Sequence, residues 1–139
     1  MTGTGTGSDA AGDGDGADGR RSDALPSIER LAADAREARE AADAPTDPPD
    51  SEAALVAARD GLGPVVARYI AARTGETERL SARQLDGLDR ATNDWLAAYA
   101  RHHGVETDPD VTVRTAAELV IETHDVVATA RLLTDVPDR

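Results

Sequence analysis

At 139 residues, with 15 arginines, no lysine, 27 acidic residues and a net charge of −12, the chain has the length of one domain and a charge balance that repels itself in dilute buffer. At molar salt the Debye length falls to ~3 Å, so this balance suits a cytoplasm holding molar salt, as in halophilic archaea. The lack of cysteine excludes disulfides, thiolate nucleophiles and cysteine-bound metal or iron–sulfur centres.

Residues 1–24 are mostly Gly, Asp, Thr and Ala, hold seven of the 12 glycines and offer too little apolar surface to offset ordering. They predict a disordered tail ahead of a helical domain over 25–139. Two letter patterns in this stretch carry no chemistry. Gly5-Thr-Gly7-Ser-Asp-Ala10 has dinucleotide-loop spacing but no strand before it. Asp13-Gly-Asp15-Gly-Ala17-Asp18 is followed by Ala24 where a calcium loop needs a bidentate Glu. No apolar run approaches the ~20 residues of a membrane span, and the start lacks the basic and apolar segments of a signal peptide. A cytoplasmic location is therefore expected.

From residue 25 onward, roughly two dozen large apolar residues suffice for one small core. A first helical segment runs from Pro26 and Ser27 to Ala42, with Ile28, Leu31, Ala35, Ala38 and Ala42 on one face. That face is mostly alanine, so this segment is expected to be the most loosely attached. Three prolines within 43–50 break the chain. A second short segment from Ser51 to about Asp60 is stopped by Gly61-Leu-Gly63-Pro64, and Pro64 begins a third bearing Val65, Val66, Tyr69 and Ile70. Thr74-Gly75 reads as its left-handed end.

The fourth segment opens with a capping box, Ser81 and Gln84, under a staple of Leu80 and Leu85. Leu85, Leu88, Thr92, Trp95, Leu96 and Tyr99 form its core stripe, and Gly104 ends it. Arg83, Arg90 and Arg101 align on the other side. Asp86 and Asp94 stand four residues either side of Arg90, the spacing of surface ion pairs rather than of a phosphate-binding stripe. The fifth segment starts within 110–115, with a capping box at Thr115 and Glu118, and runs to about Thr134. Its main stripe includes Ala116, Leu119, Val120, Val126, Val127, Ala130 and Leu133. A second apolar line, Ala117, Ile121, Ala128 and Leu132, lies on the opposite side, which marks either a central helix or a partner surface. No stretch alternates as a strand, so the expected class is an all-α bundle of about five helices, centred on the fourth and fifth.

His102, His103 and His124 are the only imidazoles. With Asp125 they are the candidate polar site, yet neither His-Glu-x-x-His nor Glu-x-x-His spacing is present. The structural alternative has His102 and His103 capping the carbonyl end of the fourth helix, where a partly positive imidazole is favourable, and His124 bordering the core. Trp95 and Tyr99 read as packing rings in a chain without phenylalanine. No nucleophile elbow exists, and no Ser lies near a His in sequence.

Asn93-Asp-Trp95-Leu96, Tyr99-Ala-Arg101, Val113-Arg114-Thr-Ala-Ala-Glu118-Leu119, Thr123-His124-Asp125-Val126 and Leu133-Thr-Asp-Val136-Pro137 resemble a small haloarchaeal domain family of unknown function. The likeness covers most of 28–137 and implies only a compact helical domain.

No catalytic or metal-binding residue is assigned and no cofactor is expected. The leading expectation is a non-enzymatic protein-interaction module, acting on a protein partner or as a homodimer through Ala117, Ile121, Ala128 and Leu132. The alternatives are a helix-turn-helix nucleic-acid binder using the third and fourth segments, against which the acidic balance argues, and a metal-dependent enzyme built on interhelical histidines.

Overall fold

The computed structural model describes residues 26–136; the expected tail and its two letter patterns lie outside them. The described residues form five helices and no strand. Helix α1 is Ile28–Ala41. Helix α2 runs without interruption as Ser51–Val56, a π-helical stretch Ala57–Leu62, and Gly63–Arg73. Helix α3 is Ala82–His102, α4 is Val113–Thr123 and α5 is Val126–Thr134.

The number of helices matches the sequence reading, but their partition does not. Gly61-Leu-Gly63-Pro64 fails to stop the second segment. Pro64 lacks an N–H, and its ring would clash with the carbonyl four residues back in a regular helix. The chain accommodates this by widening: the Gly63 N–H donates to the Ala58 carbonyl, five residues back, and the helix passes the proline intact. The predicted fifth segment, by contrast, is two helices. His124 adopts a left-handed conformation at φ 58°, and the Asp125 carboxylate caps the new start by accepting from the N–H groups of Val127 at 2.9 Å and Ala128 at 3.2 Å.

Helix α3 is the axis and packs against every other helix. Leu88, Ala91, Thr92, Leu96 and Tyr99 are fully buried along it, with Ala97, Ala98 and Ala100 closing the rest of its circumference near the C-terminal end. Trp95 is half-buried against the core, and Leu85 is exposed rather than inward. The expected capping box is formed: Gln84 N–H donates to Ser81 Oγ at 3.1 Å, and Ser81 N–H to Gln84 Oε1 at 2.9 Å.

The alanine face of α1 does not leave it at the margin, because small side chains let it lie close along α3, its most extensive neighbour. A Cβ on Gly87 would stand 3.3 Å from Ile28 Cγ2. At the other end Arg101 donates to the carbonyls of Arg39 at 3.1 Å and Ala42 at 2.8 Å, so the two helices run parallel. Arg39 adds an ion pair to Asp94 at 3.0 Å. The proline-rich connection then turns back over the end of α3, where the N–H groups of Thr46 and Asp50 donate to the carbonyls of Arg101 and His102. The Arg101 carbonyl also accepts from the Gly104 N–H, while the Asp50 N–H supplies the partner of the His102 carbonyl at this helix terminus.

Candidate functional site

The sequence candidates fall in two places. His102 and His103 end α3, while His124 and Asp125 form the corner between α4 and α5. Among the described residues no three His, Cys, Asp or Glu side chains converge as a metal would require. The Thr123-His124-Asp125 run builds the corner. Thr123 Oγ1 donates to the Leu119 carbonyl at 2.8 Å and accepts from the Asp125 N–H at 3.2 Å. The Asp125 carboxylate is taken up by the α5 cap, and His124 is exposed rather than bordering the core.

His103 has a different setting. Its backbone N–H donates to the Tyr99 and Ala100 carbonyls, and its ring stacks edge-on against Tyr99 with centroids 4.8 Å apart. Burial, then the nearby charge of Arg131, then that of His102 push its pKa below the usual 6.5. The His103 imidazole is therefore held towards its neutral form. It lines an open cleft of about 390 Å³ with Tyr99, Glu52 and Arg131, backed by Leu55 and Val127. Sequence reasoning missed Glu52 and Arg131, which stand 51 residues before and 28 after His103 and meet it only because α2 and α5 both pack on α3.

The expected interface line is split by the break at His124. Ala117 is buried on the inner side of α4 and Ala128 is half-buried, but Ile121 and Leu132 are 59% and 62% exposed. Only Val56 and Leu85 are otherwise exposed among the large apolar side chains described.

The arginine line of α3 also divides. Arg101 is drawn inward as the α1 clamp and pairs with Glu106 at 3.1 Å. Asp94 is engaged by Arg39, so the expected Arg90–Asp94 pair is not made, and neither is one with Asp86. At the fourth helix to be capped, the cap is Thr112, whose side chain accepts from Thr115 N–H at 3.1 Å; Glu118 pairs with Arg114 at 3.2 Å instead of forming the expected box.

A family model for a domain of unknown function, DUF8055, matches residues 22–138. The chain belongs to this family. The match spans all five helices, so the DUF8055 domain and the bundle are the same unit. Comparison with curated proteins and with solved structures gave no match. Among the described residues of this DUF8055 domain, no helix is long and apolar enough to cross a membrane.

Proposed function

We propose that this domain is a non-enzymatic interaction module of a haloarchaeal cytoplasm, docking through the outer faces of α4 and α5. The exposure of Ile121 and Leu132 carries this reading: two large aliphatic side chains stand in solvent on consecutive helices whose other sides are buried. A second copy of the chain is the simplest occupant, since a two-fold contact sets the same exposed side chains of both copies against each other. Acidic copies approach one another only where salt screens their charge.

The test is light scattering on the size-exclusion peak in molar KCl. A dimer that becomes a monomer in Ile121→Asp or Leu132→Asp, with helical circular dichroism unchanged, supports the reading. A wild-type monomer removes the homotypic form, and loss of fold in the variants would make these residues core.

The alternatives have less support. Helix α3, the would-be recognition helix, is wrapped by all the others and could offer a DNA groove little beyond its first turns. The interhelical histidine site has no converging third ligand among the described residues.

A further inference from the structure

We propose that the groove between α1 and the first half of α3 binds a small phosphorylated anion, held by Arg36, Arg83 and Arg90. The three guanidinium groups line one groove of about 260 Å³, Arg36 from α1 and the other two from α3. None of them is within ion-pair distance of a carboxylate among the described residues. Asp86 lies on the same helix between Arg83 and Arg90 and pairs with neither; Asp94 is held by Arg39. The groove lining carries three positive side chains against one negative, Glu29, which reverses the balance of a chain with 27 acids and 15 bases.

The floor favours an anion as well. Ala32, Ala33 and Gly87 line the groove beside the buried Ile28 side chain, so beyond Ile28 only small groups stand between the parallel helices there, and the Gln84 amide adds a hydrogen-bond donor at the wall. Arg83 and Arg90 are two turns apart, about 10 Å along the axis, a span their long side chains close from both ends onto a ligand. Guanidinium forks bind phosphate oxygens in pairs, which makes arginine better suited than lysine to this task. Glu29 admits a ligand that also offers a hydroxyl or amine donor and disfavours an extended polyanion such as duplex DNA, whose charges would continue past the three arginines. This inference is independent of the α4–α5 docking face.

The test is isothermal titration calorimetry with inorganic diphosphate and with a sugar phosphate, in the lowest KCl at which circular dichroism shows the folded helix content. Saturable millimolar or tighter binding is expected. Arg36→Gln, Arg83→Gln and Arg90→Gln should each weaken it roughly three- to tenfold, while Arg114→Gln, which lies outside the groove, should leave it unchanged. A stronger response to the sugar phosphate, reduced in Glu29→Gln, would place its hydroxyls at Glu29; equal binding of the two probes would show that the phosphates alone are read. Absence of saturable binding to both probes would overturn the proposal. So would undiminished binding in the three groove variants, and so would diphosphate failing to compete with duplex DNA retained by the same arginines.

Discussion

Gly61 and Trp95 are fitted to each other. A Cβ on Gly61 would overlap the indole ring, so the only tryptophan of the chain packs where α2 has no side chain. Gly61→Ala should cost about 1–3 kcal/mol through overpacking, lower the melting temperature by several degrees and shift Trp95 fluorescence. An unchanged melting curve would mean that the indole moves aside freely. Asn93 offers a second test. Its amide donates to the Val111 carbonyl at 2.9 Å while its Oδ1 accepts from the Val111 N–H at 2.9 Å, fixing the chain just before α4. Asn93→Ala leaves both backbone groups without their partner and is expected to destabilise by about 1–3 kcal/mol in urea unfolding. Neither role was legible in the sequence. Gly61 looked like a helix stop because its partner ring lies 34 positions away, and nothing near Asn93 in sequence pointed to Val111, which lies 18 away.

At the scale of elements, most end signals carried by a few neighbouring residues hold, although the Thr115–Glu118 box and the Gly61–Pro64 stop do not. Ser27, Ser81 with Gln84, Gly75 at φ 85° and Gly104 at φ 81° act where they were expected, since a cap depends on three or four neighbouring residues. The corner at His124 was missed because hydrophobic period alone continues through it. Asp125 was the available sign, a good N-cap residue followed by an apolar run. Asp125→Ala removes the cap of α5 and should cost about 0.5–2 kcal/mol, read as loss of amide-exchange protection in α5 before α3. Uniform loss across all helices would show instead that α5 folds only with the whole bundle. The end of α3 gives a pH prediction. The folded pKa of His103 lies below 6.5, so its neutral form favours folding. That stabilisation is present above pH 6.5 and is lost as pH falls from there through the folded value, because the unfolded chain takes up the proton first. His103→Asn should flatten this part of the melting temperature profile on the acid side; an identical profile would remove the imidazole as its cause.

For the whole molecule, charge sets the terms on which the packing holds. The chain carries 12 more negative than positive charges, and among the described ion pairs Arg30–Asp34 at 3.6 Å and Arg114–Glu118 at 3.2 Å are single, solvent-facing contacts, while those of Arg39 and Arg101 involve a partly buried guanidinium. Exposed pairs of this kind contribute about 0–1 kcal/mol each, too little to offset the mutual repulsion of the remaining carboxylates. The core is built largely of alanine and valine, with Tyr99, Leu62, Leu88 and Leu96 as its largest fully buried side chains, which leaves little margin against that repulsion. Salt acts on the unfavourable side of this balance. Long-range repulsion between carboxylates is screened once the Debye length drops to about 4 Å near half-molar salt, whereas the buried contacts are hardly affected. The melting temperature should therefore rise steeply up to about half-molar KCl and more gently beyond it. Replacing several exposed acids outside these ion pairs, such as Glu37, Glu40 and Glu122, with their amides should reduce the slope. The same melting temperature from dilute buffer to 3 M KCl would show that the acidic surface does not limit stability, and would take away the main support for a high-salt habitat.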